Sequence, residues 1–189
     1  MNAPVTSLEF DKSYRASFTF WGDVRIPKEI KKLSHQLLQG NVLDLGCGIG
    51  RFTQFMANHN HFATGVDFSS VAIEKATKRA SKYSKRATFH VKDVTDLGFP
   101  ENTFDASFDV GCFHCLDSDK QLLYVSSLAA VLKNGATHLI WAMNKGPSDL
   151  IYSPELISNL FSEKFTLAKA QKSWRRFAPS YWYWLRKRS

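Results

Sequence analysis

The chain has 189 residues, of which 44% are hydrophobic, and it carries 25 lysines and arginines against 17 acidic residues. This length and apolar content predict one globular domain and argue against disorder, collagen-like repeats and a multi-domain assembly. The longest apolar runs fall far short of the ~20 residues that span a bilayer. The N-terminus lacks the pattern of a secretory signal and only three cysteines occur, so we expect a cytoplasmic protein without a membrane span or a disulfide framework.

The positive charge is concentrated in two places. Eight basic residues against one acidic residue lie between Glu163 and the C-terminus and account for most of the net charge of +8: Lys164, Lys169, Lys172, Arg175, Arg176, Arg186, Lys187 and Arg188. A second group recurs at helical spacing: Lys75, Lys78, Arg79, Lys82, Lys85 and Arg86. Both groups fit a solvated surface, and both leave open a surface for an anionic partner such as nucleic acid.

Apolar runs of strand length alternate with segments of helical period, which indicates βαβ units and a mainly parallel sheet. The predicted elements, in chain order, are a helix over 26–38, a strand over 41–45, a helix over 50–59, a strand over 63–67, a helix over 71–82, strands over 88–92 and 104–110, a helix over 120–132, a strand over 137–143, a helix over 153–161 and strands over 166–174 and 180–186. Ser69 or Ser70 is expected to cap the third helix, and the Asn134-Gly135 turn to end the fourth. The last two strands have no helix between them, so we expect an antiparallel pair at one edge of the sheet.

Residues 42–50, VLDLGCGIG, predict a strand that runs into a tight glycine turn and then a helix. The glycines follow the pattern G-x-G-x-G at Gly46, Gly48 and Gly50, whereas a dinucleotide fingerprint needs G-x-G-x-x-G. Asp44, on the strand before the turn, would repel a phosphate and suits a cationic ligand. Asp67 ends the next strand about twenty residues later, where an acid can accept both hydroxyls of a ribose.

VLDLGCGIG followed by GVDFS resembles the class I S-adenosylmethionine-dependent methyltransferases, and the resemblance covers roughly residues 40 to 143. It implies a Rossmann-like fold: a seven-stranded, mostly parallel sheet with an antiparallel C-terminal strand and helices on both faces. It also implies a single methyltransferase domain over residues 1–189. Within it, residues 1–39 would form a helix and a segment that covers substrate and cofactor, and residues 40–189 the core.

The resemblance further implies S-adenosylmethionine as cofactor and assigns residues to it. Asp44 and Gly46 would face its methionine and ribose part, and Asp67 would hold the ribose hydroxyls. The remaining residues that it places at the cofactor are Trp21, Cys47, Gly48, Gly50, Phe68 over one adenine face, Asp93 at the adenine amino group with the Val94 backbone beside it, Asp109 and Gly111. A turn residue or a helix cap is the alternative for Asp93.

The end of the fourth strand, Asp109-x-Gly111-x-Phe113-His114-Cys115-Leu116, resembles the D-x-G-x-F-H-H-L segment of small-molecule methyltransferases of the thiol, thiopurine and tellurite group, with Cys115 in place of the second histidine. The segment makes His114 a candidate catalytic base or orienting residue, and a structural histidine bonded to loop backbone is the alternative. Residues 20–23, FWGD, loosely resemble the "P-W" segment that folds over the cofactor in that group.

Cys112 and Cys115 form a lone C-x-x-C, which favours packing inside a loop over zinc binding, and no metal site is expected. Tyr181 and Tyr183 should lie on one face of the last strand, and Trp182 and Trp184 on the other. These rings, beside the C-terminal arginines, fit edge-strand packing or the stacking of bases.

The leading hypothesis is an enzyme that methylates a small-molecule nucleophile, such as a thiol or another soft acceptor. The alternatives are a nucleic-acid methyltransferase that uses the basic helix and tail, and a non-catalytic cofactor-binding partner protein. The sequence leaves the acceptor and the oligomeric state open.

Overall fold

The computed structural model describes residues 6–15, 25–80, 85–144, 150–175 and 178–189. The helices are α1 (Ser7–Arg15), α2 (Lys28–Gln36), α3 (Arg51–Asn58), α4 (Ser70–Ala80), α5 (Ser118–Val131) and α6 (Pro154–Phe161), with a short 3-10 helix at Phe113–Cys115. The strands are β1 (Asn41–Leu45), β2 (Phe62–Asp67), β3 (Ala87–Val91), β4 (Phe104–Val110), β5 (Leu132–Met143), β6 (Phe165–Ser173) and β7 (Ser180–Lys187). None of the described helices is long and apolar enough to cross a membrane.

The strands form a seven-stranded sheet in the order β3-β2-β1-β4-β5-β7-β6. β2 pairs parallel with β1 and β3, β4 pairs parallel with β5, and β7 pairs antiparallel with β5 and β6. The predicted fold class is therefore confirmed, and so is the antiparallel pairing of the last two strands. The tyrosines of β7 share a face as predicted, since the rings of Tyr181 and Tyr183 stack with their centroids 5.6 Å apart.

The chain divides into two compact units, Met1–Asp93 and Val94–Ser189, so the single domain over residues 1–189 stays a prediction. The first unit packs α3 and α4 against the parallel strands β1, β2 and β3. Many of its fully buried side chains are aliphatic, among them Ile30, Val42, Leu43 and Leu45, which suits strands covered on both faces.

The second unit contains β4 to β7, α5 and α6, and its core is aromatic. Its largest fully buried side chains are Trp141, Trp182, Tyr124, Tyr152, Tyr183, Phe108, Phe113, Phe161 and Phe165. Phe113, in the loop after β4, lies 5.1 Å from the ring of Tyr124 and 5.3 Å from that of Phe161. Edge-to-face contacts of this kind add to the free energy of area burial and fix the orientation of the rings.

Capping residues determine where α3, α4 and α5 begin, and they explain why the predicted starts differ from the observed ones. Gly50 has a φ of +72°, a left-handed conformation outside the helix, so α3 begins at Arg51. The Asp117 side chain accepts the Lys120 N–H at 2.9 Å, so α5 begins two residues earlier than predicted. Ser69 is the cap of α4, because its hydroxyl oxygen accepts the Ala72 N–H at 3.1 Å. The predicted end of that helix at Lys82 lies outside the described residues.

The Asn134-Gly135 turn does not end α5 as predicted. α5 ends at Val131 and the chain enters β5 at Leu132. Phe104 of β4 pairs with Leu132 of β5, but Ala106, two residues further along β4, pairs with Thr137, five residues further along β5. The turn therefore forms a bulge within β5, where Gly135 takes a φ of +73°.

Helix α1 was not predicted, although its sequence carries a recognisable start. The Thr6 hydroxyl accepts the Glu9 N–H at 3.4 Å, and the Glu9 carboxylate accepts the Thr6 N–H at 2.9 Å. This is a capping box, in which two otherwise unpaired backbone donors are satisfied reciprocally. The T-x-x-E spacing at residues 6–9 was the sequence feature that could have revealed the helix.

Candidate active site

The glycine loop between β1 and α3 lies in the first unit and has the backbone that the motif predicts. Gly46, Gly48 and Gly50 have φ values of +66°, +52° and +72°. The loop is tied to β2, because the Cys47 N–H donates to the Val66 carbonyl at 2.9 Å. A Cβ on Gly48 would come within 2.8 Å of the Tyr14 hydroxyl. The loop thus requires glycine both for its backbone conformation and for its close contacts.

The carboxylate of Asp67 is built into this loop. It is 5% exposed and accepts the backbone N–H groups of Gly48 and Ser69, each at 2.9 Å and each on a different oxygen. Burial raises the pKa of Asp67, and the nearby Asp11 adds to the rise, while the two hydrogen bonds oppose it. Each carboxylate oxygen has a further lone pair, so the fixed carboxylate can still accept two hydroxyl donors.

A second carboxylate, Asp44, lies at the start of the same loop. It is 2% exposed and accepts the Thr53 hydroxyl of α3 at 2.5 Å. Burial raises the pKa of the Cys47 thiol well above its ordinary value, and Asp44 and Asp67 raise it further. Cys47 is therefore a neutral thiol at physiological pH. Two carboxyl side chains beside a glycine turn suit a ligand with a cationic centre and a diol.

Sequence reasoning missed Gly65, which the packing of this loop requires. A Cβ on Gly65, in the middle of β2, would lie 2.8 Å from the Cys47 sulfur and 2.8 Å from the Thr53 hydroxyl oxygen. Gly65 therefore leaves the space that both side chains occupy behind the loop. A glycine inside a strand, where it weakens pairing, was the available signal of such a close approach.

Helix α1 also contributes to the site, and sequence reasoning did not assign any of its residues. Its Tyr14 hydroxyl faces Gly48. The Asp11 carboxylate accepts the Ser69 hydroxyl, and the Tyr14 carbonyl accepts the Lys75 ammonium of α4. These contacts fix α1 against the start of α4 and over the glycine loop.

The remaining predicted cofactor residues differ in their surroundings. Phe68 is 38% exposed and makes an edge contact with Phe10, with ring centroids 5.1 Å apart. Asp93 is exposed and follows Lys92, whose N–H donates to the Asp67 carbonyl at 3.1 Å. Val94 is buried and begins the second unit. Trp21 lies outside the described residues, and the cofactor contacts of all four stay predictions.

In the second unit, Asp109 organises the loop after β4, residues Gly111–Leu116, which we call the β4 loop. One carboxylate oxygen accepts the N–H groups of Gly111 and Cys112 at 2.9 and 2.8 Å. The other accepts the Phe113 N–H at 2.9 Å and the Tyr124 hydroxyl at 3.0 Å. The side chain is fully buried, which raises the pKa of Asp109 to about 6 despite these four hydrogen bonds. Its donors all come from its own unit, so the predicted cofactor contact of Asp109 stays a prediction.

His114, the predicted catalytic residue, lies in the β4 loop among aromatic side chains. It is 4% exposed, and its ring centroid lies 5.7 Å from that of Trp141 and 6.3 Å from that of Tyr152. The Tyr152 hydroxyl donates to the His114 carbonyl at 3.4 Å and accepts the Gln121 amide at 2.6 Å. A Cβ on Gly111, whose φ is +101°, would lie 3.3 Å from the Trp141 ring. The imidazole is thus held by backbone and ring contacts.

The prediction that the two cysteines of the β4 loop are packed inside it is wrong. Cys115 is exposed, and Cys112 is partly exposed. Cys115 can lie at the surface because its N–H and thiol both bond to loop carbonyls, those of Cys112 and Gly111, at 2.9 and 3.4 Å. Among the described residues, no group of three or more His, Cys, Asp and Glu side chains is arranged to hold a metal ion.

Six basic residues of the two charged groups bond to other groups of the protein. In the C-terminal group, Arg186, Lys187 and Arg188 donate to the carbonyls of Gly135, Leu132 and Phe165. In the helical group, Lys78 pairs with Glu74, Lys75 bonds to the Tyr14 carbonyl and Arg86 bonds to the Asn60 carbonyl. Lys82 and Arg176 lie outside the described residues. The C-terminal basic residues therefore brace strand ends, as the edge-packing interpretation expects.

Comparisons with known proteins agree with this geometry. A family model described as "Methyltransferase domain" matches residues 42–135. An uncharacterised methyltransferase of Schizosaccharomyces pombe is 29% identical over 108 residues, which are 57% of this chain and 74% of that protein. The 2-heptyl-1-hydroxyquinolin-4(1H)-one methyltransferase of Mycobacteroides abscessus is 28% identical over 163 residues, covering 78% of this chain and 72% of that one. The N-methyltransferase NodS of Bradyrhizobium japonicum, solved with S-adenosylhomocysteine, has a TM-score of 0.81 at 16% identity and covers 98% of this chain and 100% of that one.

The strand order, the glycine loop and the acid that ends β2 define a Rossmann-like methyltransferase. The chain belongs to the class I S-adenosylmethionine-dependent methyltransferases, and its cofactor is S-adenosylmethionine. The first unit fits this cofactor, because Asp67 keeps a lone pair on each carboxylate oxygen for the hydroxyls of a ribose and because the Asp44 carboxylate lies beside the glycine loop.

Proposed function

We propose that the protein transfers a methyl group from S-adenosylmethionine to a small-molecule acceptor whose nucleophilic atom loses its proton readily, such as a thiol or an acidic aromatic hydroxyl. The observation that carries the proposal is the division of roles in the β4 loop. Asp109 is fully buried and holds four donors. His114 is the side chain left to orient an acceptor or take its proton.

The bound cofactor supplies an activated methyl group on a sulfonium centre. The chain's own residues need to bind it, align the acceptor and exclude water. Asp67 would hold the ribose hydroxyls through its free lone pairs, and Asp44 would lie on the methionine side of the glycine loop. His114, between the Trp141 and Tyr152 rings, would take the acceptor proton. A neutral imidazole suits a thiol or an acidic hydroxyl better than an unactivated alcohol, whose pKa is far higher.

Two further observations support a small acceptor. Several relatives are named for small molecules, among them the hydroxyquinolone methyltransferase of M. abscessus and a phosphoethanolamine N-methyltransferase of Arabidopsis thaliana. In addition, four of the basic residues that a nucleic-acid methyltransferase could use, Arg86, Arg186, Lys187 and Arg188, bond to backbone carbonyls of this chain. A nucleic-acid acceptor and a purely cofactor-binding role are the alternatives to this proposal. A cytoplasmic location is an expectation from the sequence.

A turnover screen tests the acceptor class. Formation of S-adenosylhomocysteine is measured with aromatic thiols, 2-heptyl-1-hydroxyquinolin-4(1H)-one, simple phenols, phosphoethanolamine and bulk RNA. We expect turnover with thiols or the hydroxyquinolone and none with RNA. Turnover with RNA alone would support the nucleic-acid alternative. Tight cofactor binding without turnover on any acceptor would support the non-catalytic one.

The role of His114 has its own test. His114→Ala should lower kcat by about 10²-fold or more and leave the affinity for S-adenosylhomocysteine nearly unchanged. With a thiol acceptor the defect should shrink as the pH rises through the pKa of the acceptor, because the thiolate needs no base. His35→Ala, at an exposed histidine of α2, is the control. Wild-type turnover of His114→Ala at every pH would remove the catalytic role.

A further inference from the structure

A chain of buried polar side chains runs behind the β4 loop. The Tyr124 hydroxyl of α5 donates to Asp109 at 3.0 Å and lies 3.1 Å from the Nε2 atom of His138 on β5. The Nδ1 atom of His138 lies 2.7 Å from the Ser107 hydroxyl of β4. All four side chains have an exposed fraction of 0%. Burial of polar groups lowers the stability of a protein unless each of their hydrogen bonds is made. The arrangement of these four hydrogen-bonded side chains therefore needs an explanation.

The hydrogen-bonding capacity of each group fixes the direction of the chain. An ionised carboxylate can only accept, so the single hydroxyl proton of Tyr124 goes to Asp109. In the tautomer with the N–H on Nε2 of His138, the Tyr124 oxygen accepts a hydrogen bond from that N–H, and Nδ1 accepts one from the Ser107 hydroxyl. Burial lowers the pKa of His138 to about 3, so the ring is neutral with one N–H, as this arrangement requires. Every donor of the chain therefore points toward Asp109.

This series of hydrogen bonds ends on the Asp109 carboxylate, which holds the β4 loop. Asp109 accepts the backbone N–H groups of Gly111, Cys112 and Phe113, and His114 is the next residue. The Phe113 ring also packs on Tyr124, with centroids 5.1 Å apart. Tyr124 thus contacts the loop twice, through the carboxylate and through the ring.

We propose that Tyr124 and His138 are positioning residues for the β4 loop, which hold its backbone, and with it His114, in one arrangement through Asp109. The relevance to catalysis rests on the proposed function, but the effect on the loop does not. The groups that face Asp109 are the Tyr124 hydroxyl from α5, with His138 of β5 behind it, and the backbone N–H groups of Gly111, Cys112 and Phe113 in its own loop. Removing a donor leaves the buried carboxylate less stabilised, so the pKa of Asp109 should rise further and the loop should open more often wherever Asp109 is ionised.

Amide hydrogen exchange of the full-length protein, followed by mass spectrometry, tests the proposal without an acceptor. The reporter is the peptide that covers residues 110–116. Tyr124→Phe should increase its exchange rate, corrected for intrinsic exchange, at least about 10-fold, as expected for the loss of a hydrogen bond to a charged group. His138→Leu should give a smaller increase and Ser107→Ala the smallest, because the effect must decrease with distance from Asp109 along the chain.

Two controls separate local positioning from a general loss of stability. Tyr183→Phe removes a fully buried hydroxyl that donates to the Tyr152 carbonyl at 2.6 Å, outside the chain. It should leave the exchange of residues 110–116 within about twofold of wild type. The peptide of residues 46–50, in the first unit, should not change in any variant. Equal increases for Tyr124→Phe and Tyr183→Phe, or in both peptides, would overturn the proposal.

The pH profile supplies a readout that a merely structural role would not move. In the wild type, protection of residues 110–116 should decrease as the pH rises from 3.8 to about 6, because the buried Asp109 carboxyl binds a proton more tightly than the same carboxyl does in an open loop. In Tyr124→Phe this midpoint should move to higher pH, since one hydrogen bond to the ionised form is gone. An unchanged midpoint would contradict the proposal. A moved midpoint and an open loop with wild-type turnover would instead confirm the positioning and reject the catalytic role of His114.

Discussion

Asp67 and Asp109 both end a parallel strand of the sheet, and the comparison shows how two buried carboxylates serve different purposes. Asp67 accepts two backbone N–H groups, one on each oxygen, so it keeps lone pairs for a ligand. Asp109 accepts four donors, two on each oxygen, and has none to spare. The number of internal donors, rather than burial alone, therefore separates an acid that has lone pairs available for a ligand from an acid that only builds a loop.

The largest expected effect concerns the glycine loop beside Asp67. Gly48→Val should abolish measurable binding of S-adenosylhomocysteine, because the side chain would meet the Tyr14 hydroxyl at 2.8 Å and force the loop to shift. Gly135→Val is the matched control, since Gly135 also has a left-handed φ, +73°, but no atom lies within 4 Å of its Cβ position. It should lose about 1–2 kcal/mol of stability and keep full binding.

Calorimetry and circular dichroism of the two variants decide this prediction. Both must retain the far-ultraviolet spectrum of the wild type for the comparison to count. Binding by a folded Gly48→Val protein would show that the loop does not need its tight contact with α1. Loss of binding in Gly135→Val as well would show that the effect is not specific to the loop.

The next effect concerns the pH dependence of stability in the second unit. The ordinary pKa of His138 is 6.5, and burial lowers it to about 3. Between about pH 3 and pH 6.5, His138 therefore binds a proton in the unfolded chain but not in the native protein. His138 thus makes the stability rise with pH over this range. Asp109 acts in the opposite sense: its pKa is raised from 3.8 to about 6, so its contribution falls as the pH rises from 4 to 6. The two contributions nearly cancel between pH 4 and pH 6.

His138→Leu should expose this cancellation. The stability of the wild type minus that of the variant should grow by about 3 kcal/mol between pH 4 and pH 6, since each pH unit is worth about 1.4 kcal/mol per proton. Urea unfolding at pH 4, 5 and 6 measures the difference. A difference that is constant across this range would mean that His138 is not held neutral in the native protein.

The smallest effect concerns the basic C-terminus. Replacing Arg186, Lys187 and Arg188 by glutamine removes their hydrogen bonds to the carbonyls of Gly135, Leu132 and Phe165. We expect a loss of about 1–2 kcal/mol, seen as a lower Tm, with cofactor affinity and small-molecule turnover within a few-fold of wild type. A collapse of turnover at unchanged Tm would place these residues in an acceptor site instead.

The sequence predicted those parts of the site that depend on local structure. The glycine turn needs left-handed backbone at positions close in the chain, and Asp67 ends the strand that follows, so spacing alone identified both. The prediction that the Asn134-Gly135 turn ends α5 was wrong, because the pairing of β4 with β5 makes the dipeptide a bulge within β5. Propensity predicts the bend, and tertiary pairing decides what the bend becomes.

The parts that could not be predicted depend on contacts between distant segments. Tyr14 faces Gly48 through helix α1, and the capping box at residues 6–9 predicts the helix without its partner. Ser107 and His138 meet because β4 and β5 pair in a register that places them opposite each other. Taken singly, a serine, a histidine and a tyrosine on apolar segments carry no indication that they share one hydrogen-bonded chain.

The measurement that tests the division of roles most directly is a calorimetric titration of S-adenosylhomocysteine into the wild type, Asp67→Ala and Asp109→Asn. Asp67→Ala should weaken binding about 100-fold or more, because two ribose hydroxyls lose their acceptor, and it should also lower Tm, because the Gly48 and Ser69 N–H groups lose theirs. Asp109→Asn should bind within a few-fold of wild type but melt at a lower temperature, since its amide turns donors toward the donors of the β4 loop. Equal loss of affinity in both variants, or wild-type affinity in Asp67→Ala, would contradict the account.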